Sequence, residues 1–133
     1  MRDDELLAPI AIVADDDPDV RRLVELELVE LGVQVVCASD GVQALELIRA
    51  YRPAIVVLDV MMPGLDGYEV TRRLRGDPPT REIPVVLLTA RSARADDLYG
   101  HRVGADRFMT KPFDGRELRA VVAGLIERDR RTS

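Results

Sequence analysis

Residues 54–67 read AIVVLDVMMPGLDG, in which five apolar residues are followed by an aspartate and then by a stretch containing proline and glycine. An apolar run without polar alternation is typical of a strand that is buried on both faces of a parallel sheet. Further short runs that we also predict to be strands span residues 10–13, 33–37, 85–88 and 107–109. The stretch that begins at residue 54 is therefore predicted to contain the third of five strands.

Amphipathic stretches lie between the apolar runs, and each predicts a helix. Four of the five carry an aspartate that suits the amino-terminal cap, namely Asp17, Asp40, Asp66 and Asp114. The first helix should bury the apolar residues that share one face, which are Val20, Leu23, Val24, Leu28 and Leu31. A weak fourth helix is predicted over residues 95–103. Strands that alternate with helices in this way form parallel sheets with right-handed crossovers, so we expect one α/β domain, a doubly wound (βα)5 three-layer sandwich.

Composition excludes several classes of protein. The chain has 133 residues, a formal net charge of −5 and 4% aromatic residues without tryptophan. An acidic, aromatic-poor domain is not expected to bind nucleic acid or an anionic membrane directly. One cysteine, Cys37, and one histidine, His101, exclude an internal disulfide and a Cys- or His-based metal site. No apolar stretch is long enough to span a membrane, and we expect a cytoplasmic protein.

Polar residues that could carry chemistry come directly after four of the predicted strands. Asp15, Asp16 and Asp17 follow the first strand, and Asp59 follows the third. The other two are Thr89 after the fourth strand and Lys111 after the fifth. In a strand order of 2-1-3-4-5 these four strands are adjacent, and ligands bind at the carboxyl edge of such sheets. Clustered carboxylates repel one another unless a cation is bound, and Mg²⁺ prefers oxygen ligands of this kind.

The same residues suit phosphoryl transfer, since a carboxylate can be the nucleophile and an ammonium can neutralise the phosphoryl charge. Two functions are compatible with them: a signalling module that is phosphorylated on Asp59, and a small Mg-dependent aspartyl-phosphate hydrolase. A hydrolase would need a general base, and His101 lies far from every predicted strand end. A third reading, in which residues 15–17 only cap a helix, leaves Asp59 and Lys111 unexplained.

The chain resembles the receiver domain of two-component response regulators. The segments that carry the resemblance are IVADDDP at 12–18, VLDVMMPGLDG at 57–67, LLTA at 87–90, GAD at 104–106 and KPF at 111–113. The resemblance implies a flavodoxin-like fold with a five-stranded parallel sheet. It also implies an amino-terminal extension over residues 1–9, a receiver domain over 10–127 and a tail or linker stub over 128–133.

The resemblance implies a role for each site residue. Asp59 would accept a phosphoryl group from a phosphohistidine, and Thr89 and Lys111 would contact the phosphoryl oxygens. Mg²⁺, or Mn²⁺, would be bound by Asp16, Asp59 and the main-chain carbonyl of Met61, with Asp15 acting through water. Thr89 and the aromatic residue Phe108 would form the conformational switch. The Lys111–Pro112 peptide bond would be cis.

The implied partners are a sensor histidine kinase or a phosphotransfer protein. An output domain or docking partner would bind the face formed by the fourth helix, the fifth strand and the fifth helix. Such a protein would have no external substrate, since it catalyses only its own phosphorylation and dephosphorylation. The sequence leaves open whether it works alone or as one domain of a longer regulator.

Overall fold

The computed structural model describes residues 8–90 and 103–132, with side chains through Arg128. The strands are β1 (Ile10–Ala14), β2 (Gln34–Ala38), β3 (Ile55–Asp59), β4 (Val85–Thr89) and β5 (Arg107–Thr110). The helices are α1 (Pro18–Val29), α2 (Gly41–Tyr51), α3 (Gly67–Gly76) and a C-terminal helix (Gly115–Thr132). The helix predicted over residues 95–103 lies outside the described residues, except for Val103 in a turn. None of the described helices could cross a membrane, given their length and polarity.

The five strands form one parallel sheet in the order β2-β1-β3-β4-β5, as the sequence predicts. The central strands β3 and β4 are buried along their whole length, whereas the edge strands β2 and β5 are partly exposed. Continuous apolar runs therefore mark the middle of the sheet, and the short, more polar run at 107–109 marks one edge.

Alternate residues of each strand face opposite sides of the sheet and build two separate cores. In β3, Val56 and Leu58 pack in the core under α2 and α3, while Ile55 and Val57 pack in the core under α1 and the C-terminal helix. The sheet is thus the middle of three layers. The predicted sandwich is confirmed, and the C-terminal helix contributes five buried apolar residues to the core that it shares with α1, namely Leu118, Val121, Val122, Leu125 and Ile126.

Each of the five strands ends one residue later than its apolar run predicts. Asp59 and Thr89 are consequently the last residues of β3 and β4 rather than the first residues after them. The main chain continues in the ladder through both positions, since Asp59 is paired with Leu88 and Thr89 with Thr110. Polar side chains at a strand end can thus be fixed by the sheet itself.

The four predicted helix caps are present. Asp40 accepts a hydrogen bond from the Gln43 N–H at 2.7 Å, and Asp66 accepts one from the Glu69 N–H at 2.8 Å. Asp17 and Asp114 accept from main-chain N–H groups two residues further on. A short side-chain acceptor satisfies a donor that the first turn of a helix leaves free, which is why these local signals predict the helix starts.

Two helix predictions differ from the structure. Leu23, predicted to be buried, is 45% exposed, because the sheet and the C-terminal helix cover only the arc of α1 that contains Val24 and Leu28. The C-terminal helix continues through Thr132, into the segment 128–133 that the resemblance implies is a tail or linker stub. Between α3 and β4 lies a short 3-10 helix, Pro78–Thr80, that begins with exposed prolines and ends with buried Thr80.

A charged network closes the amino ends of β4 and β5. Arg75, in the last turn of α3, donates to the carbonyls of Gly104 at 2.8 Å and Ile83 at 2.7 Å and to the Asp106 carboxylate at 2.9 Å. Asp106 also accepts from the Val85 N–H at 2.8 Å and from Arg128 of the C-terminal helix at 2.7 Å. Gly104 has φ +100°, a conformation that favours glycine, and a Cβ there would lie 2.9 Å from Arg75 Cγ. Both the main-chain conformation and the close approach of Arg75 therefore require glycine at this position.

Candidate functional site

The predicted site residues meet at the carboxyl edge of the sheet. Asp15 follows β1, Asp59 ends β3, Thr89 ends β4 and Lys111 follows β5. All four strands are adjacent in the observed order, so one edge brings together residues up to 96 positions apart in sequence. Thr89 is 2% exposed, and its main-chain carbonyl accepts a hydrogen bond from the Lys111 N–H at 2.6 Å.

Asp15 is the most constrained residue of the site and is 1% exposed. Its carboxylate accepts from Lys111 Nζ at 2.9 Å through Oδ2 and from the Asp17 N–H at 2.9 Å through Oδ1. Its main-chain N–H donates to the Ala38 carbonyl at 3.2 Å, and its own carbonyl accepts from Arg21 Nη1 at 2.9 Å. The β1–α1 loop is therefore held at both main-chain and side-chain atoms.

Asp59 is 4% exposed and lies on the other side of the same lysine. Its Oδ1 is 3.2 Å from Lys111 Nζ and accepts from the Met61 N–H at 3.3 Å. Burial and the Asp15 carboxylate raise the pKa of Asp59 to about 6, against the opposing effects of Lys111 and the Met61 N–H. Burial disfavours the charge on Lys111, but Asp15 and Asp59 outweigh that effect and raise the pKa of its ammonium. The Lys111 ammonium is thus held by two buried carboxylates, those of Asp15 and Asp59.

Asp16 completes a cluster of three carboxylates. One oxygen from each of Asp15, Asp16 and Asp59 lies within 4.8 Å of the other two, and Asp16 is the exposed member. Three carboxylates beside a single ammonium leave an excess of negative charge. A set of closely spaced oxygen donors that opens to solvent on one side suits a hard divalent cation that keeps several waters, as Mg²⁺ does. The residues present therefore fit the ion that the sequence predicts.

The remaining predicted residues lie around this cluster. The Met61 main chain is next to Asp59 through its N–H, and its side chain is 63% exposed, while Met62 packs in the core under α2 and α3. Phe108 is half-buried on β5 and packs against that same core. The Lys111–Pro112 bond is cis, as predicted. His101 and the segment 91–102 lie outside the described residues.

Arg21 is a site neighbour that sequence reasoning missed. It belongs to the first part of α1, and its side chain reaches back to the carbonyl of Asp15. One signal could have indicated it: a positive charge near the amino end of a helix is unfavourable, so a basic residue there calls for a specific partner.

Comparison with known proteins identifies the family. The family model for the response regulator receiver domain matches residues 11–123. The chain belongs to the receiver domains of response regulators. This chain is 41% identical to the transcriptional regulatory protein AfsQ1 of Streptomyces coelicolor over 125 residues. The matched region covers 94% of this chain and 54% of AfsQ1. It is 40% identical over 120 residues to the DNA-binding dual master transcriptional regulator RpaA of Synechocystis, covering 90% of the chain and 50% of RpaA.

This receiver domain spans about half the length of the curated relatives it matches. Among solved structures, a Francisella response regulator receiver domain has a TM-score of 0.84 at 34% identity, over 90% of this chain and 98% of that one. The receiver domain of a Pseudomonas aeruginosa sensor histidine kinase has a TM-score of 0.82 at 28% identity, over 90% and 98%. That structure has a magnesium ion coordinated in its active site cleft.

Proposed function

We propose that this receiver domain accepts a phosphoryl group on Asp59 from a phosphohistidine of a sensor histidine kinase or a phosphotransfer protein. The observation that carries the proposal is the position of Lys111 Nζ, which is 2.9 Å from Asp15 and 3.2 Å from Asp59 within a cluster of three carboxylates. Membership of the receiver family favours this signalling role over the hydrolase that the carboxylates alone would also allow.

Asp59 acts as the nucleophile. One of its carboxylate oxygens attacks the phosphorus, the new P–O bond forms as the P–N bond to histidine breaks, and the imidazole leaves with that electron pair. Among the described contacts, Lys111 and the Met61 N–H both approach Oδ1, which leaves Oδ2 for the attack. With a pKa of about 6, the Asp59 carboxyl group is mostly ionised at neutral pH and is ready to react.

The three carboxylates would hold Mg²⁺ or Mn²⁺. Asp16 and Asp59 would bind the ion directly together with the main-chain carbonyl of Met61, and Asp15 would act through water. When bound, the ion neutralises charge on the phosphoryl oxygens. Lys111 neutralises another part of that charge, and the Thr89 hydroxyl donates to a further oxygen.

Thr89 and Phe108 form the proposed switch. Movement of the Thr89 hydroxyl toward the new phosphoryl group vacates space beside β4, and the Phe108 ring turns into it. Supporting this, Phe108 is on the neighbouring strand, packs at the edge of a core and is only half-buried. Phosphorylation thereby shifts a two-state equilibrium at the face of β5 and the C-terminal helix.

The rest of the proposal concerns the whole protein. The switched face binds an output domain or a docking partner, and the receiver itself contacts neither nucleic acid nor membrane. Residues 10–127 form the receiver unit in the cytoplasm, residues 1–9 an extension, and residues 128–133 a tail or linker. The domain catalyses only the phosphorylation and dephosphorylation of its own aspartate.

Phosphorylation is tested by incubating the chain with a small acyl phosphate and measuring its intact mass. Wild type should gain one phosphate when Mg²⁺ is present and none when the metal is chelated. Asp59→Asn should gain none, whereas Asp19→Asn, an exposed carboxylate change on α1, should react like wild type. Equal modification of Asp59→Asn would show that the acceptor is another residue.

The switch is tested with beryllofluoride, a stable mimic of the phosphoryl group. The aromatic NMR signals of Phe108 should move when the mimic is added to wild type. They should move much less in Thr89→Ala, because the hydroxyl that draws β4 toward the site is missing. Equal shifts in both proteins would separate Phe108 from Thr89 and contradict the coupling.

A further inference from the structure

Arg21 is a described residue whose side chain contacts the site but has no role in the mechanism above. Its Nη1 donates to the main-chain carbonyl of Asp15 at 2.9 Å, and its side chain is partly buried between α1 and the β1–α1 loop. The carbonyl of Asp15 belongs to the peptide unit that joins Asp15 to Asp16. A guanidinium bound to that oxygen therefore fixes the plane from which the Asp16 side chain departs.

Asp16 depends on such a support more than its two neighbours do. Asp15 is held through both carboxylate oxygens, and Asp59 is held by Lys111 and the Met61 N–H. Within residues 8–90 and 103–132, no side-chain hydrogen bond or ion pair anchors the exposed Asp16 carboxylate. The orientation of its peptide unit therefore determines which region the carboxylate can reach through its side-chain rotamers.

We infer that Arg21 is a positioning residue for the metal site, which aims Asp16 at the bound cation through the carbonyl of Asp15. The inference rests on the proposed function, because it assumes that the carboxylate cluster takes up Mg²⁺. Removing a residue that orients a metal ligand without binding the metal itself commonly lowers the metal affinity by about one to two orders of magnitude.

The sign of the effect distinguishes positioning from simple electrostatics. Arg21 is a positive charge close to a cation site, so its charge alone weakens Mg²⁺ binding, and removing that charge would tighten it. A positioning role predicts the opposite result. Arg21→Gln should bind Mg²⁺ about tenfold more weakly than wild type.

The experiment measures Mg²⁺ dissociation constants by calorimetric titration, with metal-free unfolding in urea recorded for each variant. Arg22→Gln is the matched control, because it removes the same charge from the adjacent, exposed position of α1 and should bind Mg²⁺ at least as tightly as wild type. Arg21→Lys keeps the charge but not the planar fork, and we expect an affinity between those of wild type and Arg21→Gln.

Each outcome decides between the alternatives. If Arg21→Gln binds Mg²⁺ as tightly as wild type or more tightly, the positioning role is wrong. If Arg21→Gln does not fold, Arg21→Lys decides, since an affinity equal to or tighter than that of wild type would contradict the expected loss and with it the positioning role of the guanidinium. If wild type itself binds no Mg²⁺, the proposed function fails before this inference is reached.

Discussion

The two ends of the sheet handle charge in opposite ways. At the carboxyl edge, Asp15 and Asp59 share the Lys111 ammonium, and the third carboxylate of the cluster, Asp16, is exposed. At the amino edge, two guanidiniums share the Asp106 carboxylate, and Arg75 is bonded to main-chain carbonyls as well. The first arrangement has fewer positive than negative charges, and the second has its partly buried carboxylate bonded through both oxygens.

From this difference we expect the amino edge to stabilise the domain by itself and the carboxyl edge to gain stability when a cation binds. A hydrogen-bonded ion pair with few exposed atoms contributes to folding, and removing one partner leaves the other without compensation. Uncompensated carboxylates cost stability until a cation binds. The edges lie about 15 Å apart, given the rise per residue of a five-residue strand. Their effects on the free energy of unfolding should therefore be nearly additive.

The largest effect is expected at the amino edge. Arg75→Met keeps most of the side-chain volume but removes every hydrogen bond that Arg75 donates. It should lower the free energy of unfolding by about 2–3 kcal/mol, less than for a fully buried pair because the side chains of Arg75 and Asp106 are about one-fifth exposed. Urea unfolding measures this. Arg72→Met, an exposed arginine of the same helix, should change the midpoint little, and equal losses would contradict the assignment.

The same chemical change should have opposite signs at the two edges. Asp106→Asn should destabilise the metal-free protein by about 1–2 kcal/mol, because Arg75 and Arg128 lose their common carboxylate. Asp16→Asn should stabilise it by about 0.5 kcal/mol, because one of three repelling charges is removed at an exposed position. Urea unfolding in a chelator at neutral pH compares the two, and shifts of the same sign would refute the contrast.

Magnesium should offset the destabilising repulsion among the carboxylates at the carboxyl edge. With a dissociation constant near 1 mM and about 10 mM Mg²⁺, binding should stabilise wild type by roughly 1.4 kcal/mol. Asp16→Asn should lose most of this gain, and Arg75→Met should retain it within about 0.5 kcal/mol because the edges are distant. Thermal unfolding with and without the metal checks both statements. A gain that survives in Asp16→Asn would remove that residue from the cation site.

The smallest effect is expected for the exposed end of the amino-edge network. The Arg128 side chain is 57% exposed, so its ion pair with Asp106 is well solvated. Arg128→Gln should cost about 0.5 kcal/mol in urea unfolding, much less than Arg75→Met. Losses of similar size would contradict this ranking and mean that Arg128 of the C-terminal helix contributes as much as Arg75 of α3.

Local signals predicted most of the fold and most of the site. Caps such as Asp40 and apolar runs such as the one that precedes Asp59 act within a few residues, and parallel topology then brings Asp15, Asp59 and Lys111 to one edge. The exposure of Leu23 was not predictable in this way, since periodicity defines a helix face but not how much of it is covered.

The amino-edge network was also missed, for a different reason. Arg75 and Asp106 are 31 residues apart, and neither lies in a repeating pattern. The segment 104–106 carries part of the family resemblance. The sequence does not show, however, that Gly104 leaves space for the side chain of Arg75. Long-range contacts of single polar side chains require coordinates.

Lys111 is the one lysine among 133 residues, and its ammonium is bonded to two carboxylates of the site. A reagent that acylates primary amines therefore has a single side-chain target in this chain. Only the neutral amine is nucleophilic, and the raised pKa of Lys111 keeps it protonated, so acylation should be slow while both carboxylates hold it. The rate of labelling thus reports how strongly Asp15 and Asp59 bind the Lys111 ammonium, without any engineered probe.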